Sequence, residues 1–276
     1  MEKRLIDQDI ETIMSYKNQF DYDLWTTEDM RLLKGSPLNL TQTPLYLIEL
    51  GVKRTDETIK RCADILLSVQ KDDGRFKVYP KGGIYPCQTA IALHSLCYMG
   101  YAQDERLTKS FDYFLDTQEE DGGWKCNKYS FGRGPETEYS TPMTTLTVLH
   151  AFIYKKGYEK INQLDRAVEF LLKHWEIKKP ISPCHYGIGT LFMQVEYPIG
   201  DYNLFTYVYA LSFYKKARED NRFKEALKSL QYNVKDGQIV VERNSRKISK
   251  LNFCKKGEKS EYATRRYQEI LHNLSK

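Results

Sequence analysis

Cys184 and His185 are adjacent in the sequence and are the pair of residues best suited to covalent or metal chemistry. A thiolate beside an imidazole can act as a nucleophile in acyl transfer, and either side chain can bind zinc together with Cys126 or Asp201. Adjacent side chains often point apart, however, and a free cysteine is most often a small buried hydrophobic residue. We therefore expect no cofactor, and a Cys/His acyl-transfer site and a zinc site are the alternatives.

Two acidic residues, Glu138 and Asp201, each precede an apolar segment that is predicted to be helical. Burial that raised the pKa of either carboxyl would make it a proton donor for acid catalysis. The same position ahead of a helix N-terminus also suits an acidic side chain as a simple cap. The sequence leaves both interpretations open.

The candidate residues fall in connecting segments that are rich in Tyr, Gly and Cys and that precede apolar, helix-like segments: 79–88, 125–139, 183–187 and 196–203. Tyr85, Cys126, Arg133 and Tyr202 are the candidates for ligand contact in these segments. If the segments are equivalent, they meet at one mouth of a cavity. We expect at least three of the eight candidate catalytic and binding residues at its rim.

Segments that are apolar on most faces are predicted to form buried inner helices: 43–50, 87–99, 141–156, 202–217 and 260–271. Proline at the first turn and glycine after the last mark several of their ends. Alternate segments such as 57–70 and 105–118 carry apolar residues at helical spacing and charges elsewhere, which is typical of an outer layer. A leading helix is predicted at 9–20. His94, on an inner helix, is interpreted as a core histidine.

The chain repeats itself with a unit of roughly 50 to 60 residues. Gln70 and Gln118 are 48 positions apart, as are Phe76 and Trp124. In both copies an Asp-Gly pair lies between the Gln and the aromatic residue. The unit is a helical hairpin, and such units either stack linearly or close into a ring. An inner layer with almost no charge favours closure, because an open array would expose one side of it.

Composition indicates a globular protein of 276 residues with 42 Lys+Arg, 37 Asp+Glu and an apolar fraction of 41%. These values exclude a disordered or collagen-like chain. We expect a single domain over 1–276, with a helical lead-in at 1–40 and the repeats at 41–276. No signal peptide or transmembrane segment is visible, which favours a cytoplasmic protein with reduced cysteines. The basic stretch 243–266 has no accompanying nucleic-acid motif, so no nucleic-acid partner is expected.

Residues 118–124, QEEDGGW, resemble the QW motif of squalene and oxidosqualene cyclases and of the β-subunits of protein prenyltransferases. Residues 70–76 are similar, with Phe76 in place of Trp. The resemblance extends over 43–273 and implies an all-α fold, an α/α toroid of about five helical hairpins around a central cavity. The motif itself is structural: the Gln side chain bonds backbone at a helix end, and the Trp stacks over the turn.

The catalytic signatures of these families are missing from the sequence. The Asp-x-Asp-Asp acid motif fails at Leu24 in 21–24, and no Asp lies two positions before any Cys, as a zinc-dependent prenyltransferase requires. The resemblance therefore implies a prenyltransferase-like or terpene-cyclase-like protein that binds an isoprenoid-like or other apolar-chain ligand, with catalysis left open. The alternative is a noncatalytic toroid module that binds a protein or peptide partner.

Overall fold

A computed structural model describes residues 2–276. Over these residues the chain forms twelve α-helices: α1 (Lys3–Ser15), α2 (Thr43–Glu49), α3 (Glu57–Ser68), α4 (Pro86–Leu96), α5 (Thr108–Asp116), α6 (Pro142–Phe152), α7 (Asn162–Ile177), α8 (Thr190–Met193), α9 (Leu204–Ser212), α10 (Lys215–Glu219), α11 (Asn221–Gln231) and α12 (Glu261–Leu274). A two-stranded antiparallel hairpin, β1 (Val234–Lys235) with β2 (Gln238–Ile239), precedes the last helix.

Five helices, α2, α4, α6, α9 and α12, form the inner layer of an α/α toroid. Proline occupies the first turn of α2, α4 and α6, where its missing N–H costs no hydrogen bond. The glycines after these helices adopt the left-handed backbone that stops a helix, with φ of +100° at Gly51, +101° at Gly100 and +80° at Gly157. The predicted inner helices are thereby confirmed, with shorter C-terminal ends for α6 and α9.

The inner helices close into a ring through side-chain contacts between neighbours. The ring of His94 on α4 packs against that of His150 on α6, with centroids 4.1 Å apart and planes tilted by 40°, and His150 lies edge-on to Tyr209 of α9 at 5.4 Å. The hydroxyl of Tyr209 donates to Glu269 of α12 at 2.6 Å. Arg266 of α12 forms an ion pair with Glu49 of α2, which completes the circle.

The outer layer is held by the two glutamines of the repeat. The Gln70 side chain, after α3, donates to the carbonyl of Arg106 and to the Ser110 hydroxyl, both at 2.8 Å. The Gln118 side chain, after α5, donates to the carbonyl of Gln163 at 2.8 Å. Each glutamine therefore ties the end of one outer helix to the beginning of the next, as the motif predicted.

The glycines of the motif allow the close approach that these bonds need. Gly74 and Gly122 have φ of +84° and +93°, and a Cβ on either would collide with the backbone of the next outer helix, at Lys109 and Arg166 respectively. A side chain at either position would therefore strain the backbone and push the two outer helices apart.

The lead-in differs from the prediction of a helix at 9–20. Helix α1 ends at Ser15, and residues 16–42 form turns in which Leu24 and Trp25 have φ near +54°. Both side chains are fully buried, so packing rather than helical periodicity sets this segment. None of the helices between residues 2 and 276 is long and apolar enough to cross a membrane.

The lead-in is fastened to the other end of the chain. The buried carboxylate of Asp9 accepts hydrogen bonds from the Asn252 backbone and side-chain amides at 2.8 and 2.9 Å, and from the Phe253 backbone at 2.9 Å. The Lys247 amine donates to the carbonyl of Gly35 at 2.8 Å. These contacts close the outer side of the ring between its first and last units.

Candidate ligand-binding cavity

A cavity of about 230 Å³ lies on the axis of the ring. Four of the five inner helices line it, together with the lead-in and three connecting loops. Its apolar lining is Leu33, Leu45, Tyr46, Tyr79, Ile91, Met143 and Ile199. Its polar lining is Ser36, Asn39, Thr41, Gln42, His94, Lys128, Thr147, His150, Asp201 and Thr206. The lining is thus more polar than the sequence indicated, which suits an amphipathic ligand.

The imidazoles of His94 and His150, in contact with each other, form the floor of the cavity. The Nε2 atom of each is buried and has no hydrogen-bond partner among the described residues. Desolvation, reinforced by the nearby charge of Arg266, lowers the pKa of His94 to about 4, and desolvation lowers that of His150 well below its ordinary value. Both rings are therefore neutral at pH 7. An unsatisfied buried nitrogen is costly, so this floor is suited to a ligand that supplies a partner.

A network of ion pairs and hydrogen bonds lies across the axis of the ring, beneath the two histidines. The Glu49 carboxylate accepts hydrogen bonds from the hydroxyls of Tyr98 and Tyr197 and from the Arg266 guanidinium. Arg266 also donates to Glu269 at 2.9 Å. Desolvation, the largest effect, raises the pKa of Glu49. The Arg266 charge and the hydrogen bonds from Arg266, Tyr197 and Tyr98 together outweigh it, so the pKa lies below its ordinary value. The network joins α2 and α12 to the turn after α4 and the loop before α9. It separates the cavity from a second opening, lined in part by Arg54 and Phe213.

The lead-in builds one side of the mouth as a polar network. The Asn39 side-chain oxygen accepts from the backbone and hydroxyl of Thr41 and from the backbone of Gln42. The Gln42 side-chain oxygen in turn accepts from Ser36 and from the Asn39 amide, at 2.9 and 2.8 Å. Residues that the sequence assigned to a simple lead-in therefore line the candidate site.

Asp201 is the one carboxylic acid among the residues that line the axial cavity. It stands just before α9 and is accessible to solvent at the mouth. Desolvation by the surrounding protein raises its pKa above the ordinary value, and Arg243 opposes this effect. A carboxyl with a raised pKa that faces a cavity is a candidate for proton transfer.

The other candidate acid and the basic candidate of the same loop lie outside the cavity. Glu138 is exposed and pairs with Lys125 at 3.1 Å. Arg133 is exposed on the same loop and lines a separate surface depression. His185 is also exposed, in a left-handed turn with φ of +59°. Lys128 of the loop 125–139 lines the cavity, but farther along the loop the Phe131 backbone N–H donates to the Pro183 carbonyl at 2.8 Å. Glu138, Arg133 and His185 are not among the residues that line the cavity with Asp201.

The remaining candidates pack beside the cavity. Tyr202 is buried, and its hydroxyl donates to Nδ1 of His174, 2.6 Å away, in the layer between α7 and α9. Tyr85 is half-buried at the N-terminus of α4. Cys126 and Cys184 are close together, with the Cys184 thiol donating to the Cys126 carbonyl at 3.2 Å. Of the eight candidates Asp201 alone lines the axial cavity, so the expectation of at least three at its rim is wrong, and the catalytic and binding roles of the other seven stay predictions.

Within residues 2–276, no group of three or more His, Cys, Asp or Glu side chains is placed to hold a metal ion. The candidate zinc ligands Cys184 and His185 therefore form no such group with Cys126 or Asp201.

The sequence does indicate that the two histidines of the floor are equivalent, but at a different repeat offset from the 48 residues of the glutamine motif. Inner helices α4 and α6 match at an offset of 56 positions, which pairs Pro86 with Pro142 and His94 with His150. Equivalent positions on inner helices face the axis together. The interpretation of His94 as a satisfied core histidine is therefore corrected: it lines the cavity and its Nε2 has no partner within the described chain.

Comparison with known proteins gives a family and a set of similar folds. The family model of the squalene-hopene cyclase C-terminal domain matches residues 31–216. A variant of the type II terpene cyclase MstE from Scytonema, in complex with the substrate geranylgeranyl dihydroxybenzoate, is similar in structure with a TM-score of 0.49, 10% identity, and coverage of 99% of this chain and 79% of that one. Another variant of it, in complex with the product merosterolic acid A, has a TM-score of 0.46 at 10% identity, covering 99% of this chain and 80% of that one. No curated protein matches the sequence.

Proposed function

Because the chain belongs to the squalene-hopene cyclase C-terminal domain family, we propose that it binds a short isoprenoid-like molecule with a polar end in the centre of its ring. The observation that carries this proposal is the axial cavity, whose walls end on the buried Nε2 atoms of His94 and His150, which have no hydrogen-bond partner among the described residues. A fold alone does not define a function, and the proposal rests on this site.

The size of the cavity limits the length of the ligand. Its volume of about 230 Å³ is below the roughly 300–1,000 Å³ that is typical of sites for drug-sized molecules. A few isoprene units fit such a space, whereas a triterpene such as squalene does not. The polar groups among the lining also disfavour a pure hydrocarbon, because their desolvation by an apolar ligand would be uncompensated.

The neutral histidines favour an uncharged polar group at the floor. A neutral imidazole offers one donor and one acceptor nitrogen, which suits a hydroxyl or carbonyl oxygen. A diphosphate would need cationic partners, and the cation beneath the floor, Arg266, is already paired with Glu49 and Glu269. We therefore take a prenyl alcohol as the ligand class to test.

Binding is tested by isothermal titration with geraniol and farnesol, using squalene as the oversized comparison. We expect binding of one or both short alcohols and none of squalene. Ile91→Trp, which fills the cavity, should weaken binding at least tenfold, about 1.4 kcal/mol. The matched control is Leu191→Trp at a side chain that is 65% exposed, which should bind like the wild type. Absence of binding of both alcohols to the folded wild type would refute the proposal.

Proton transfer by Asp201 is a second candidate, favoured by its place at the mouth and by its raised pKa. The protonated carboxyl would add a proton to a carbon–carbon double bond of the ligand, as in acid-initiated rearrangement. Asp201→Asn should keep ligand affinity and lose conversion, measured by mass spectrometry of extracted products. If the wild type binds the ligand and returns it unchanged, the protein is a binding protein without this activity.

The alternative of a noncatalytic module that binds a protein partner stays a prediction. Its most suitable surface is the stacked pair Tyr129 and Phe131, whose rings lie 5.5 Å apart and are 51% and 65% exposed. A double substitution of these two residues by Ala would abolish a protein contact at this surface, and it would leave binding of geraniol or farnesol unchanged.

A further inference from the structure

Three cysteines from separate parts of the chain meet beside the cavity mouth. Cys87 lies in the first turn of α4, Cys126 two residues after Trp124, and Cys184 in the loop before α8. The thiol of Cys126 donates to the sulfur of Cys87, with the two Sγ atoms 2.9 Å apart. The two sulfurs of a disulfide are separated by about 2.05 Å. A small shift of either side chain would therefore bring the pair to bonding distance.

We propose that Cys87 and Cys126 are a redox-active thiol pair that a peroxide converts to a reversible disulfide. The proposal is independent of the ligand and of any reaction in the cavity. It assigns a modification site to residues that neither the repeat motif nor the axial cavity requires.

The surroundings of the three sulfurs make Cys87 the attacking group. The hydrogen bond from the Cys126 thiol, with the nearby amine of Lys128, lowers the pKa of Cys87 despite its burial. The interaction with Cys126 and desolvation instead raise the pKa of Cys184. A thiolate is the reactive form of cysteine, and Cys87 is half-buried, so a small oxidant can reach it.

Each disulfide consumes one hydrogen peroxide and releases two waters. The Cys87 thiolate attacks one oxygen of hydrogen peroxide; the O–O bond breaks, an S–O bond forms, and the released hydroxide takes up the former thiol proton as water. The Cys126 sulfur then displaces the hydroxyl from Cys87. The S–S bond forms, the S–O bond breaks, and the hydroxyl leaves as a second water with the proton of Cys126. Two electrons pass from the sulfurs to the peroxide.

Formation of this bond would fix one side of the cavity mouth. It would join the first turn of α4 to the loop 125–139, which carries Lys128 into the cavity lining. The bond would join two positions that are 39 apart in the sequence. Such a cross-link restricts the unfolded chain and is expected to raise the Tm by several degrees.

The other cysteines provide internal controls. Cys62 and Cys254 are fully buried, and burial raises the pKa of each thiol to about 12. Cys97 is also buried and its pKa is raised. None of these three sites has the low pKa or the neighbouring thiol of Cys87, so they should stay reduced under mild oxidation.

The test treats the 276-residue protein with hydrogen peroxide, blocks the remaining thiols with iodoacetamide, and maps peptides by mass spectrometry without reduction. We expect one peptide pair linked through Cys87 and Cys126, two hydrogens lighter than the separate peptides and cleaved by dithiothreitol. A raised Tm should accompany the link and disappear on reduction.

Cys87→Ser should lose both the link and the Tm shift, whereas Cys62→Ser should keep them. Circular dichroism establishes that each variant is folded, and Cys87→Ala replaces Cys87→Ser if the latter is not. A link between Cys126 and Cys184 in the wild type would overturn the proposal. So would oxidation of single cysteines to sulfinic acid with no linked peptide.

Discussion

Trp124 shows how one side chain of the repeat motif holds two layers together. Its side chain is 1% exposed, its indole N–H donates to the carbonyl of Phe114 at 2.8 Å, and the two rings are nearly perpendicular with centroids 5.7 Å apart. Its backbone N–H donates to the hydroxyl of Thr145 on inner helix α6. The residue therefore connects the end of α5 to α6.

Trp124→Ala is expected to lower the free energy of unfolding by about 3–5 kcal/mol, the range for removing a fully buried aromatic. Urea denaturation measures the effect. The control is Phe131→Ala, at a ring that is 65% exposed, with an expected change below about 0.5 kcal/mol. A loss of ligand binding at unchanged stability would instead place Trp124 in the binding site.

His94 should make the stability of the fold depend on pH. Because desolvation and the charge of Arg266 lower its pKa to about 4, the unfolded chain binds a proton between pH 6.5 and 4 that the folded chain does not. The stabilisation is therefore complete above pH 6.5 and is lost as the pH falls toward 4. The single shift corresponds to about 3 kcal/mol. His150 contributes with the same sign.

His94→Phe removes this titrating group and keeps a ring on the floor of the cavity. The free energy of unfolding should fall less steeply for the variant than for the wild type between pH 6.5 and 4, by about 3 kcal/mol in total. Denaturation curves at several pH values measure the difference. Parallel curves for the two proteins would show that His94 titrates alike in the folded and unfolded chains.

The Glu49–Arg266 pair is the link between the first and the last inner helix. The two side chains are 13% and 17% exposed, so removing one leaves the other charge poorly hydrated. Arg265 is the next residue on α12, but its side chain is 60% exposed and pairs with Glu261 within the same helix. The two neighbouring arginines therefore form a matched comparison of an inter-helix and a surface ion pair.

Arg266→Met should destabilise the fold by about 3–5 kcal/mol, because it leaves Glu49 buried without its cation. Arg265→Met should cost less than about 1 kcal/mol, since exposed pairs contribute little. Thermal unfolding followed by circular dichroism compares the two. Equal effects would mean that ring closure does not depend on this ion pair.

How much the sequence predicts depends on whether a feature is local. The Gln, Asp-Gly and aromatic spacing of 70–76 and 118–124 identifies the helical hairpins, because each motif acts within its own turn and on the next helix. The lead-in over 16–42 has no such periodicity, and its buried Leu24 and Trp25 adopt backbone conformations that propensity does not favour.

The site was harder to predict because its lining comes from distant segments. Asp201 could be named from its position before an inner helix, and it lines the cavity. Glu138 and His185 have similar positions in the chain, but their loops fold outward and leave them exposed. The side of the ring to which a loop folds depends on contacts between distant segments, such as the hydrogen bond from the Phe131 backbone N–H to the Pro183 carbonyl. No local sequence pattern encodes such a contact.

The chain as a whole is closed by contacts between its first and last forty residues. Asp9 supplies three hydrogen bonds to Asn252 and Phe253. Asp9→Ala leaves these buried donors without an acceptor and should cost about 1–3 kcal/mol or more. If the 276 residues unfold as one unit, the substitution will lower the unfolding midpoint by the same amount in circular dichroism and in tryptophan fluorescence. Separate transitions would show that the lead-in unfolds independently of the ring.

The proposed function requires that the ring encloses a small amphipathic molecule on its axis. Native mass spectrometry of the protein purified from its own cells detects such a molecule directly. We expect one bound small molecule in the wild type and in Leu191→Trp, and none in Ile91→Trp. A copurified polypeptide in place of a small molecule, no bound molecule at all, or a small molecule that persists in Ile91→Trp would contradict it.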